Sequence, residues 1–180
     1  MDTPLPSIPW NTSSLWHEAN AAIGHLLRHQ RQAVEESRMA AEQIRSRLAS
    51  IFPIMDRLCG ATCPDCSDIC CQHACVWIDF RDLLFLHLTA IPAPGQQLLA
   101  QQGERCRYST PEGCRLEREQ RPYVCTWYLC PAQTELLRQQ PATMQKVTSS
   151  LQQIKRLRRL MEQSFIRAGY PATDLINPIS

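Results

Sequence analysis

Six cysteines crowd one short stretch: Cys59, Cys63, Cys66, Cys70, Cys71 and Cys75. Four more follow at Cys106, Cys114, Cys125 and Cys130, and these ten are all the cysteines of the 180-residue chain. A thiolate is a soft anionic ligand, and thiolates at close, repeated spacing are the donor set of zinc sites and iron–sulfur clusters. Cys63-Pro64-Asp65-Cys66 is a C-x2-C turn, in which the backbone folds back so that both sulfurs face one ion. Cys70-Cys71 comes after three more residues. The second group opens with Cys106 and Cys114 and ends in Arg121-Pro122-x2-Cys125-x4-Cys130-Pro131. A proline after the last cysteine also closes the ligand run of bacterial ferredoxins.

An even number of thiols also permits disulfides, and the compartment decides between the two chemistries. Met1 to Trp10 hold three prolines, an aspartate and no apolar h-region, so no export signal is expected there. The longest apolar runs fall short of the roughly 20 residues that span a bilayer. The expected location is the cytoplasm, where thiols stay reduced. Neighbours such as Cys70 and Cys71 also meet disulfide geometry poorly. Metal is therefore the expected state. A formal net charge of +2 is too small to imply nucleic acid or an anionic membrane as partner.

The elements that must position these thiols are helical. Leu15, Ala19, Ile23, Leu26, Val34, Ala41, Ile44, Leu48 and Ile51 recur at helical spacing, which predicts one long amphipathic helix over 12–52 after a loose Pro-rich arm, 1–11. Ser13 or Ser14 is expected to cap it, and Pro53 to end it by pushing Phe52 into an extended conformation. Met144, Val147, Leu151, Ile154, Leu157, Met161 and Phe165 predict a second helix over 142–168, closed near Gly169-Tyr170-Pro171. The two are expected to pair along their stripes, antiparallel. Between them lies a Cys-rich core, 53–133. It holds a short buried helix from Asp79 through Leu86, a further short helix over 96–102, and loops over 103–131. The expected fold is mainly α and a single domain, 1–180: two long helices flanking a compact, irregular metal-binding centre.

Together these features resemble the YkgJ-type CxxCxxCC cysteine-cluster family, a zinc- or iron-chelating domain. The resemblance rests on Cys63, Cys66, Cys70 and Cys71, on Ile78-Asp79 to Leu86, on Cys106 and Cys114, and on Arg121-Pro122-x2-Cys125-x4-Cys130. It covers residues 59–131, under half the chain. Three residues separate Cys66 from Cys70 where the family name has two, and the gap from Cys114 to Arg121 is long. Cys59 and Cys75 are extra to the pattern, and small buried side chains suit them. The implied metal ligands are Cys63, Cys66, Cys70, Cys71, Cys106, Cys114, Cys125 and Cys130. The flagellin lysine-N-methylases that share this motif are associated with a [4Fe-4S] cluster, which favours iron–sulfur over zinc. Methyl transfer is not implied, because no Gly-rich Rossmann fingerprint is present.

Other residues carry weaker signals. His73, between Cys71 and Cys75, can replace a thiolate. His25 and His29 lie four apart on a helix and can share an ion, although an exposed polar face explains them better. A reactive Cys/His pair is not singled out among so many thiols. Arg105, Arg107, Arg115, Arg118 and Arg121 flank the second group and can screen thiolate charge, but Glu104, Glu112, Glu117 and Glu119 nearly cancel them. Lys155, Arg156, Arg158 and Arg159 read as the solvated face of the last helix. Trp127 and Tyr128 are expected to shield the metal from water. The expected function is a metal-binding protein, [4Fe-4S] with a redox or sensing role, or else a zinc-stabilised structural or protein-interaction module. A protein partner is expected through the long helices.

Overall fold

The structure, a computed structural model, describes residues 7–64, 66–67, 69–70, 75–110 and 113–169. Cys71 and His73 lie outside the described residues. Helices α1 (Ser13–His29), α2 (Glu35–Thr62), α3 (Phe80–Leu88), α4 (Val124–Trp127), α5 (Pro131–Arg138) and α6 (Pro141–Gly169) dominate it. One small antiparallel pair, β1 (Ser109–Thr110) and β2 (Gly113–Cys114), and a 3-10 turn, Arg118–Gln120, complete the described elements. The fold is mainly α, as the periodicity predicts.

The single helix expected over 12–52 is two helices. Between Leu27 and Val34, both buried, lie Arg28, His29, Gln30, Arg31, Gln32 and Ala33, all exposed except a half-buried Gln30. With no large apolar residue to bury there, the chain turns over 30–34 and re-enters as α2. Thr12, not Ser13 or Ser14, caps α1: its hydroxyl accepts the Leu15 N–H at 3.3 Å. The inward face of α1 is Trp16, Ile23 and Leu27, and Leu15 is left exposed. The end expected at Pro53 is also absent, because α2 runs through it to Thr62. Pro53 is exposed, and so is Ala49, whose carbonyl the missing N–H would have met. On the opposite face Ile51, Phe52, Ile54, Met55 and Leu58 are all buried. Their burial holds the helix together across a residue that propensity disfavours by about 3 kcal/mol.

Helix α2 packs lengthwise on α6. Ser37 Oγ donates to the Met161 carbonyl at 3.0 Å near one end. Leu58 shares a small core with Val147 and Met144 near the other, so the pair is antiparallel. The larger core lies between α1, α2, α3 and α6. Its centre is α3, where Leu83, Leu84, Phe85, Leu86 and Leu88 are all buried. Asp79 starts α3 as expected, through a capping box with Asp82. Nor is the arm loose in its described part: Ile8 is buried, Pro9 O accepts from Gln97, and Asn11 donates to Ala100 O.

Residues 96–102 do not form a helix. Leu98 and Leu99 are both fully buried, and Gln97 substitutes for a regular backbone ladder. Its Oε1 accepts from Ile78 N and Leu98 N, and its Nε2 donates to Ile78 O and Pro9 O. One glutamine thus stitches three segments that have no helix or strand in common.

Helix α3 ends in a Schellman arrangement. The Ile91 N–H bonds Leu86 O at 2.9 Å and the Ala90 N–H bonds His87 O at 3.3 Å. The residue in the left-handed position is Ala90, with φ 55°, where glycine carries no Cβ penalty. Ala90 is exposed, so nothing in the packing asks for its methyl group. Ala90→Gly is expected to raise the stability of the fold by about 0.5–1 kcal/mol, seen as a higher urea midpoint at unchanged slope. A lower midpoint would mean that the cap is not the strained element.

Candidate metal centre

The two groups of cysteines are linked through one side chain, Gln133, where the end of α2 faces the start of α5. Cys59 and Cys63 are one turn apart on α2, and the Cys63 N–H bonds Cys59 O at 2.9 Å. Side chains four apart on a helix share a face. Cys63 is the C-cap of α2 and still has helical dihedrals, φ −81° and ψ −34°. The Cys66 N–H then returns to Cys63 O at 3.2 Å, which is the tight C-x2-C turn that the spacing predicts. Cys66, Cys70 and Cys75 are exposed, and Cys63 is half-buried.

From the second group, Cys130 is the N-cap of α5. Its sulfur accepts the Gln133 backbone N–H while Gln133 Oε1 accepts the Cys130 N–H at 3.4 Å. Pro131 takes the first helical position, where a missing N–H costs nothing. The Cys-Pro pair therefore has a local structural reason. The same Gln133 reaches across to α2, and its Nε2 lies 3.5 Å from Cys59 Sγ. Gln133 is buried, so its amide links Cys130 to Cys59 inside the protein. Arg118, from the 3-10 turn, adds a second donor: Nη2 is 3.4 Å from Cys59 Sγ and Nε is 2.6 Å from Asp56 Oδ1. Burial opposes the Arg118 charge, but the bonds to Cys59 and Asp56 outweigh it and raise its pKa above the ordinary value.

Cys59 is thus not the plain hydrophobe that its place outside the family pattern suggests. Cys106 is buried in the larger core and Cys114 packs against it from β2. Cys125, on α4, is half-buried. Among the described residues, no three of His, Cys, Asp and Glu gather at the distances of a metal site. Trp127 and Tyr128 stack edge to face at 6.4 Å and are each 48% exposed, so they do not form the buried shield expected of them. His25 and His29 stack at 4.0 Å on the exposed side of α1, with His29 Nδ1 on the His25 carbonyl.

A second polar cluster sets the position of the loop before Cys125. Arg158 is not solvated, as its basic neighbours suggest, but buried. Its Nη1 lies 2.6 Å from Asp82 Oδ1, and its Nη2 lies 3.1 and 3.2 Å from the two Asp79 oxygens. Asp82 Oδ1 also accepts the Tyr123 N–H at 2.9 Å. The Tyr123 ring lies under the guanidinium, 4.9 Å away, and its hydroxyl donates to Leu151 O at 2.8 Å. One cluster joins the start of α3, the middle of α6 and the Arg121-Pro122-Tyr123 turn. A cavity of about 10 Å³ beside it, lined by Asp82, Arg118, Arg121, Tyr123, Thr126 and Arg158, is about the size of one water.

Burial pushes the Asp82 carboxyl up to about 6, with Arg158 pulling it down and Asp79 adding to the rise. Burial likewise pushes the Tyr123 hydroxyl up to about 12, against the pull of Arg158. The folded value of Asp82 lies above its unfolded one, near 3.8. The stability gained from its proton is complete below that value and is lost as pH rises through about 6. Arg158→Met is expected to cost about 3–5 kcal/mol at neutral pH, because it strands a buried carboxylate. The loss should shrink toward pH 4, where a protonated Asp82 needs no cation. Urea melts of both proteins from pH 4 to 8 check this, and a deficit that does not vary with pH would contradict it.

Set against models of known families, curated proteins and solved structures, the chain has no significant match. No helix among the described residues is long and apolar enough to cross a membrane.

Proposed function

We propose that the chain is a metal-binding protein whose two cysteine groups supply thiolates to a shared centre, with a [4Fe-4S] cluster as the favoured occupant. The observation that carries this reading is the junction at Gln133. There Cys130 of the second group is tied to Cys59, one turn before Cys63 of the first, although more than half of the Cys-rich region separates them in sequence. The donor chemistry fits a soft-metal site. Its sulfurs accept N–H bonds, and a guanidinium stands beside them to offset thiolate charge. The proposed ligands are drawn from Cys63, Cys66, Cys70, Cys71, Cys106, Cys114, Cys125 and Cys130. When bound, an iron–sulfur cluster would supply one-electron transfer or redox sensing. The chain's own part is to hold the sulfurs and hydrogen-bond them.

A second reading is a zinc-stabilised structural or interaction module. It is favoured by the stretch from Gln96 to Cys130, where the described elements are two short strands, a 3-10 turn and a single turn of helix. Structural zinc holds segments of this kind. A protein partner reached through the long helices remains part of the proposal under either metal.

Elemental analysis and an absorption spectrum of anaerobically purified protein separate the two. Iron and sulfide at about four per chain with a broad band around 400 nm establish the cluster. About one or two zinc per chain without colour establishes the module. Protein that stays free of both after reconstitution sinks the proposal. Cys66→Ser and Cys125→Ser are each expected to lower metal content, since one comes from each group. Full retention in both would remove the shared centre.

A further inference from the structure

Glu162 is the only carboxylate on helix α6, whereas Lys146, Lys155, Arg156, Arg158, Arg159 and Arg167 are all cationic. Part of this charge is met inside the fold. Arg158 has Asp79 and Asp82, Arg167 has Glu36, and Glu162 is taken up by Arg81. Lys155, Arg156 and Arg159 are exposed and pair with no acid among the described residues. We propose that the outer face of α6 is a docking surface for an acidic, amphipathic segment of a partner protein. This gives a chemistry to the protein partner in the reading above, rests on that part of it alone, and requires no bound metal.

Helical spacing gathers the unmet cations. Arg159 is four residues from Lys155 and three from Arg156, so it neighbours both on the surface, where like charges repel. Elsewhere exposed arginines sit beside acids: Arg45 by Glu119, Arg138 by Glu135 and Arg38 by Glu35. Carboxylates brought by a partner would relieve the repulsion that α6 itself leaves standing.

The same face has apolar parts. Leu160 is 38% exposed and Ile166 48%, and on the helix they flank the row Arg156, Arg159 and Gln163. Toward the start of α6 this row continues through Gln152, Ser149 and Gln145. There it enters a cleft of about 570 Å³, lined also by Met144, Thr148 and Arg138 of α5. From Met144 to Ile166 the surface is about 33 Å long, at 1.5 Å per residue.

This chemistry selects among anionic partners. A phosphate backbone is bound through cations alone, whereas here the cations alternate with glutamine, leucine and isoleucine. A membrane surface takes up the apolar face of a helix, but Val147, Ile154, Met161 and Phe165 of α6 are buried within the protein. Carboxylates interspersed with apolar side chains match both the cations and the exposed Leu160 and Ile166.

The probe is a fluorescein-labelled peptide of about 22 residues, matched to that length, with Glu and Leu at helical spacing. It is titrated with the full chain and read by fluorescence anisotropy. Controls are the peptide with Lys for Glu, the peptide with Ser for Leu, oligothymidine, and sedimentation with phosphatidylcholine–phosphatidylserine vesicles. Wild type is expected to bind the Glu-Leu peptide about tenfold or more tightly than the other peptides and oligothymidine, less tightly as salt rises, and not to sediment with vesicles. Arg156→Glu with Arg159→Glu should weaken binding by about tenfold or more, and Leu160→Gln with Ile166→Gln by several-fold. Arg28→Glu with Arg31→Glu makes the same change of charge at exposed positions elsewhere and should leave binding unchanged. Far-ultraviolet circular dichroism checks that each variant keeps the fold.

Affinity that survives the Arg156 and Arg159 reversals, or that falls equally with the Arg28 and Arg31 reversals, overturns the docking face. Tighter binding of oligothymidine, or sedimentation with vesicles, overturns the choice of partner. Failure of wild type to bind the Glu-Leu peptide overturns the proposal outright. Should the double reversal not fold, Arg156→Gln and Arg159→Gln decide singly, and unchanged affinity in both overturns it. Metal content is measured separately, so protein that binds metal but no peptide fails here alone, and protein that binds peptide but no metal fails only the metal reading.

Discussion

A buried guanidinium needs partners that offset its charge and accept its N–H groups, and Arg158 has two carboxylates. Asp82 and Asp79 are the capping box of α3, so the groups that neutralise the cation also start that helix. Asp82 then accepts the Tyr123 N–H, and the Tyr123 ring covers the guanidinium. Removing any one member leaves another polar group buried without its partner, which costs more than the pair itself contributes. That asymmetry makes the cluster a register device. Helix α6 cannot slide along α3 by a turn without stranding Arg158, and the Arg121-Pro122-Tyr123 turn is fixed to both.

The cysteine junction depends on this register. Cys125 follows Tyr123 by two residues, and Cys130 caps α5 a few residues later. The start of α5 is in turn bound to α2 through Gln133 and Cys59. Two polar links of different chemistry therefore hold the Cys125–Cys130 stretch, a carboxylate–guanidinium cluster on one side and N–H···S bonds on the other. The hydrophobic core beneath explains why the helices pack. These links explain why loops with little regular structure have a definite place on them.

Much of the fold was legible from periodicity. The stripe on α6 set its extent to within a residue or two, the Asp79 start of α3 followed from its capping chemistry, and the antiparallel pairing followed from two matched apolar faces. Legibility failed where one residue obeyed a tertiary demand against its local preference. Pro53 reads as a stop, but the apolar side chains around it are buried on one face and the unmet carbonyl lies on the other. Leu98 and Leu99 read as helix, but their burial and the Gln97 bridges suit an irregular chain. Arg158 reads as one of a basic run. Its spacing was informative all the same: it falls four after Ile154 and three before Met161, both fully buried, and a charge on an apolar stripe implies a buried partner.

For the candidate site, residue type and spacing alone determined that thiolate chemistry is the chemistry to consider, and that the C-x2-C segment turns back on itself. Both are local properties, set by a few bonds of backbone and by the nature of sulfur. Only the tertiary structure decided which side chains surround a given thiol. Cys59 lies outside the motif, and its neighbours Arg118 and Gln133 are 59 and 74 residues away in sequence. The spacing of cysteines says nothing about contacts at that range. They arise because α2 and α6 bury their stripes together, and because the chain between them is pinned by Arg158.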